Sequence, residues 1–239
     1  KDIGLDVAFN VMYMSEWKSK KDLVNQLKEV DGIVDYFNMV DSFGGVYPND
    51  VKQAFELVRA ETNVKIGFHG HNNMELALIN TLAAIECGAD IVDVTFTGMG
   101  RGAGNLKTEL LLTALYAQNK LEIDFNFLSK AVDPFSEMQK SYGWGTNLPY
   151  IISGANSLPQ KDVMEWISNK YYSFNTIIRA LSNKSKGISD NLRLEIFKSL
   201  KSNKYSSALI VGGGSSAISH SAALRKFLQI NIDIRLNFF

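Results

Sequence analysis

Apolar and polar positions in the first half of the chain switch between two periods. Residues 5–14 and 34–41 are apolar, β-prone runs, the second ended by Ser42-Phe43-Gly44-Gly45. Between them Leu23, Val24, Leu27 and Val30 fall at helical spacing, which predicts a helix over 20–30. Pro48 opens a second helical pattern through Phe55, Leu57 and Val58. A third strand is expected at 64–69, then a helix over 72–86 with Gly88 at its C-cap position. A fourth strand at 91–97, a glycine-rich loop at 98–104 and a helix over 105–117 follow. These are four β-α units at a period of roughly thirty residues, the size of a βαβ unit. Helical crossovers between strands imply a parallel sheet.

An open doubly wound sheet and a (β/α)8 barrel both satisfy that order. The strand faces favour the barrel. On the third strand Gly67, His69 and His71 share one face, and Ile66 and Phe68 the other. On the fourth, Asp93, Thr95 and Thr97 oppose Val92, Val94 and Phe96. A fully covered open sheet would read more uniformly apolar.

Residues 121–183 read as mostly helical, with an aromatic loop at Tyr142-Gly143-Trp144-Gly145 and prolines at 149 and 159. The run 182–187 has linker composition. The expected division is therefore 1–183, part of a barrel with a helical extension, and 184–239, an incomplete second α/β domain. In the latter a helix over 190–200 precedes a strand at 208–211, Gly212-Gly213-Gly214-Ser215-Ser216, and a helix around 220–228. Such a turn can hold an anion at a helix N-terminus, or can simply join two elements. The spacing is not a full G-x-G-x-x-G, because Ala217 takes the last glycine's place.

Composition narrows the class. With 25 Lys+Arg against 25 Asp+Glu, the chain lacks an overall basic footprint for nucleic acid. The single cysteine, Cys87, excludes a disulfide framework and fits a reducing cytoplasm. No run is long and apolar enough to span a bilayer. The chain starts without Met and almost at once in a strand-like run, so it is read as a fragment.

Chemistry concentrates at the expected strand ends. His69 and His71 stand at i and i+2 on one strand, so both imidazoles point the same way and can share a metal. Asn105 closes the loop Gly98-Met99-Gly100-Arg101-Gly102-Ala103-Gly104, and its amide oxygen is a hard ligand for Mn²⁺, Mg²⁺ or Zn²⁺. The loop could equally be a plain βα connection capped by Asn105. Asp41 could orient a histidine or cap the turn before Pro48.

Together the run VDSFGGVYPNDV and the run GFHGHNNMELALINTLAAIECGADIVDVTFTGMGRGAGNLKTELLL resemble the metal-dependent aldolase, lyase and Claisen-synthase TIM barrels. That group includes 4-hydroxy-2-oxovalerate aldolase, hydroxymethylglutaryl-CoA lyase and the isopropylmalate and citramalate synthases. The resemblance covers about residues 3–118. It implies that His69, His71 and Asn105 bind a divalent metal, Mn²⁺ or Mg²⁺ first and Zn²⁺ next, and that the four units are strands four to seven of eight. It also implies that Asp41 supports a ligating histidine from behind. Gly102 and Gly104 would bring backbone N–H groups close to a substrate carboxylate. The segment NKYYSFNTIIRAL resembles the helical segment of the hydroxyoxovalerate aldolases in which a Tyr approaches the active site, which points to Tyr171 or Tyr172. The family's Asp-x-x-x-Arg-Asp-Gly motif is absent, and so is the loop cysteine of the hydroxymethylglutaryl-CoA lyases.

The expectation is therefore a carbon–carbon lyase that cleaves a 4-hydroxy-2-oxo acid to pyruvate and an aldehyde, inactive as this piece alone. Its partner would be a small 2-oxo acid, with a homo-oligomer or a partner domain in the full-length protein. An acyl-CoA Claisen synthase is the nearest alternative. A sugar- or nucleotide-binding module is the alternative of another class.

Overall fold

A computed structural model describes residues 4–19, 26–169, 172–188, 207–211, 219–230 and 234–238. The chain divides into two compact units, Lys1–Asp190 and Asn191–Phe239. In the first, strands β1 (Ala8–Val11), β2 (Tyr36–Asp41), β3 (Lys65–Gly70) and β4 (Ile91–Val92) form one parallel sheet in chain order. Helices α1 (Pro48–Glu61), α2 (Ala77–Glu86) and α3 (Thr108–Ala117) follow β2, β3 and β4. A helical stretch then runs through α4 (Phe125–Tyr142), α5 (Leu148–Ala155), α6 (Gln160–Asn169) and α7 (Phe174–Ser185).

The apolar face of the sheet makes the core. The register sets Phe37 beside Ile66 and Met39 beside Phe68. All four are fully buried against Val51, Phe55 and Val58 of α1 and Ala84 of α2. Those α1 positions fall at i, i+4 and i+7, one stripe of the helix. Each buried side chain of this size contributes about 1.5–3 kcal/mol. Helix α1 begins where the sequence puts Pro48, and the Asp50 carboxylate accepts from the Tyr47 N–H at 3.1 Å. The opposite face is polar: Asn10, Asn38 and Gly67 lie in register across three strands, and the Asn38 amide donates to Asn10 Oδ1 at 3.0 Å.

Several expected elements are shorter than their patterns. The fourth strand ends at Val92 rather than at residue 97. Beyond it the backbone stays extended, but Thr95 pairs with the returning loop, its N–H donating to the Leu106 carbonyl at 3.0 Å. At Thr97 the chain turns sharply, with φ +53° inside a 3-10 turn, Phe96–Gly98. The expected helices at 72 and 105 start at Ala77 and Thr108. Their first residues are engaged instead in contacts between loops. For the helix expected over 20–30, the described part is a 3-10 turn, Leu27–Val30.

The second unit holds a parallel pair, β5 (Ser207–Val211) with β6 (Ile234–Phe238), and helix α8 (Ser221–Ile230). The expected helix over 190–200 and the turn at Gly212–Ser216 lie outside the described residues. No described helix is long and apolar enough to cross a membrane.

Candidate metal centre

The C-terminal end of β3 carries His69 and His71 with their rings 4.9 Å apart and their planes at 77°. Each ring is fixed through Nδ1. His69 Nδ1 lies 3.0 Å from Asp93 Oδ2, and His71 Nδ1 lies 2.8 Å from the Asp41 carbonyl oxygen. An acceptor at each Nδ1 selects the tautomer with the proton there and leaves the Nε2 lone pair for a metal. Burial holds the His71 imidazole below its ordinary range, and the charges of His69 and Arg101 act in the same direction. A neutral ring is the form that ligates.

Asn105 reaches the same rim through backbone pairing. His71 and Asn105 form an antiparallel bridge, flanked by Asn72 N–H to the Gly104 carbonyl at 3.0 Å and Leu106 N–H to the Gly70 carbonyl at 3.3 Å. The Asn105 amide nitrogen donates to the Met99 carbonyl at 3.0 Å, so the amide oxygen is the atom left for a cation. The three expected ligands are thus brought together, and they offer two imidazole nitrogens and one hard oxygen. That set fits part of a Mn²⁺ or Mg²⁺ shell, which is normally completed by water and substrate oxygens. Among the described residues no three His, Cys, Asp or Glu side chains are grouped for a metal.

Asp41 does two things with two different atoms. Its backbone carbonyl orients His71, while its carboxylate, almost fully buried, accepts from Gly45 N–H at 3.2 Å and Val46 N–H at 3.3 Å. Burial pushes this carboxyl up to about 6, against the pull of those backbone bonds. The side chain caps the turn before Pro48, while the contact to His71 comes from the main chain and not from the carboxylate.

The glycines of the loop are required by packing. Gly102 has φ +60° and Gly104 φ +80°. A Cβ on Gly104 would collide with the Gly98 carbonyl, and one on Gly102 with the Gln160 side chain. The Gly104 N–H donates to the Arg101 carbonyl at 3.0 Å, inside the loop itself. Tyr172 stands half exposed just before Ser173, the N-cap of α7. Among the described residues it makes no hydrogen bond or ring contact with His69, His71 or Asn105. Tyr171 lies outside the described residues.

Two features escaped the sequence. Asp93 was visible only as a member of a polar strand face; its pairing with His69 depends on the register that sets Gly67 beside Ile91 and Phe68 beside Val92. Asn105 also borders a cavity of about 310 Å³, walled in part by Asn72, Thr97, Lys107, Trp144 and Thr146. Its outer wall comes from the connection between α4 and α5, far away in sequence.

Comparison with known proteins gives this arrangement a family. A model of the HMGL-like family matches residues 1–134. The 4-hydroxy-2-oxovalerate aldolase of Carboxydothermus hydrogenoformans is 44% identical over 116 residues, 48% of this chain and 34% of that protein. The oxaloacetate decarboxylase of Mycobacterium tuberculosis is 40% identical over 108 residues, 44% of this chain and 32% of that protein. The chain thus spans about a third of the length of these curated relatives. Among solved structures, the N-terminal domain of a proposed aldolase from Bacteroides vulgatus superposes with a TM-score of 0.69 at 53% identity, covering 75% of this chain and 59% of that one. The carboxyl transferase domain of Rhizobium etli pyruvate carboxylase, solved with pyruvate, shares the fold at a TM-score of 0.57 and 16% identity, over 77% of this chain and 33% of that one. With more than half of its residues matched by the family model, and with the parallel sheet and paired rim histidines described above, the chain belongs to the HMGL-like family.

Proposed function

We propose that the protein is a divalent-metal-dependent carbon–carbon lyase that cleaves a 4-hydroxy-2-oxo acid to pyruvate and an aldehyde. The observation that carries this reading is the imidazole pair. Both rings are anchored at Nδ1 by groups of the fold, and both stand beside Asn105 at the ends of parallel strands. The names of the aldolase relatives support the substrate class. In this reading the four strands belong to a (β/α)8 barrel, with Asn10, Asn38, Gly67 and His69 on its inner face. The polar bond across that face, from the Asn38 amide to Asn10 Oδ1 at 3.0 Å, supports that placement.

His69, His71 and Asn105 would hold the cation. When bound, it supplies Lewis-acid stabilisation of the negative charge that develops on the 2-oxo group as the bond cleaves. The chain's own residues do the positioning. Asp93 fixes the His69 ring, and the Asp41 carbonyl fixes that of His71. The buried Asp41 carboxylate holds the turn that carries the carbonyl. Gly102 and Gly104 allow the loop to close on itself, so that Asn105 meets the strand end and the substrate carboxylate can approach the loop backbone.

The test is pyruvate release from 4-hydroxy-2-oxovalerate by the full-length protein, read by a coupled dehydrogenase. Turnover should appear with Mn²⁺ and vanish on treatment with a chelator. Release that persists at the same rate in chelator would overturn the reading. The decarboxylase relative makes oxaloacetate the informative second substrate, because its cleavage also leaves pyruvate.

A further inference from the structure

The residues that grip the rim from outside lie beyond residue 134, where the family model ends. Three consecutive ones, between α4 and α5, each hold a different point. Trp144 donates its indole N–H to the Thr97 carbonyl at 3.1 Å. Gly145 N–H donates to the Gly102 carbonyl at 3.0 Å. The Thr146 hydroxyl lies 2.8 Å from the Asn72 carbonyl and 3.0 Å from that of Asn73. The first two contacts fall on the turn that opens the glycine loop and on its middle. The third falls on the residues that follow His71. Gln139 of α4 braces this segment, its side-chain amide donating to the Trp144 carbonyl at 3.1 Å.

The loop needs such bracing. Gly98, Gly102 and Gly104 all have positive φ, and glycine loses more conformational entropy on ordering than any other residue. The loop opens at Thr97, a β-branched residue held at φ +53°, an uncommon and strained conformation. Thr97 is fixed from two sides, by the Trp144 indole at its carbonyl and by the Glu109 carboxylate at its N–H, 3.1 Å away.

We infer that Trp144-Gly145-Thr146 is a clamp that holds the loop bearing Asn105 against the strand end bearing His71, and so sets the spacing of the metal ligands. Its residues are positioning residues, and this role rests on the metal reading above. Thr146→Val removes the hydroxyl at nearly constant shape, and Thr146→Ser keeps it. In the metal-free protein, hydrogen exchange of amides 98–106 should run roughly fivefold faster in Thr146→Val and return to normal in Thr146→Ser. Affinity for Mn²⁺ by calorimetry should fall roughly tenfold in the first and recover in the second. Trp144→Phe removes the other side-chain donor and should repeat both changes; it carries the test if Thr146→Val fails to fold by circular dichroism. Unchanged exchange in both variants overturns the clamp, whether or not metal binds. Faster exchange with wild-type Mn²⁺ affinity overturns its role in setting the ligands. A wild-type protein that takes up no Mn²⁺ overturns the metal reading instead, and the exchange result then still decides the clamp.

Discussion

The rim around His71 and the edge strand β1 belong to one sheet and are held by different means. At the rim, the segments after β2, β3 and β4 are stitched together by non-repeating bonds: Asn72 to Gly104, Leu106 to Gly70, Met74 to Gly44. Strand β1 is four residues long and, among the described residues, pairs on one side only, with β2. Around it Leu5, Phe9 and Met12 stand exposed. The contrast shows where backbone accuracy comes from. A core face fixes strands through area removed from water, which tolerates small shifts. Loops that must seat Asn105 against the strand end at His71 need individual hydrogen bonds, together with glycines where the backbone turns through positive φ.

Substitutions in the two regions should therefore differ in cost. Gly104→Ala puts a methyl group against the Gly98 carbonyl at a residue whose φ is +80°. It should destabilise the fold by about 3 kcal/mol, read from urea unfolding. A loss below about 1 kcal/mol would mean that the rim can relax, and the contrast would fail. Phe9→Thr acts on the half-exposed edge, where the ring meets Phe37 edge-on with 6.3 Å between centroids. A β-prone polar residue there should cost at most about 1 kcal/mol. A cost matching that of Gly104→Ala would show that β1 is as tightly specified as the rim.

The same contrast explains what could be read from the sequence. Strands β2 and β3 follow from apolar runs because their helix-facing residues, Phe37, Met39, Ile66 and Phe68, alternate with the other face. The pairing of His69 and His71 is a local i, i+2 relation, legible without a fold, and Asn105 follows from its place at the end of the glycine loop after the next strand, to which the resemblance adds. What stayed hidden depends on distant segments meeting. Asp93 reaches His69 only through the β3–β4 register. The fourth strand stops early because Thr95, still extended, pairs with the returning loop. Trp144 could be noted as part of an aromatic loop, but nothing nearby in sequence reveals that its partner is the Thr97 carbonyl. Helix α2 starts five residues late, at Ala77, because Asn72 and Met74 bond to neighbouring loops first.

If the paired imidazoles hold a divalent cation, removing one of them must weaken its binding. This is tested most directly by calorimetric titration of Mn²⁺ into wild-type protein and His71→Ala, with circular dichroism to confirm that the variant is folded. The wild type should show one site per chain and the variant a site at least tenfold weaker, in line with the loss of a ligand. Equal affinity in the two folded proteins would contradict a cation held by the pair.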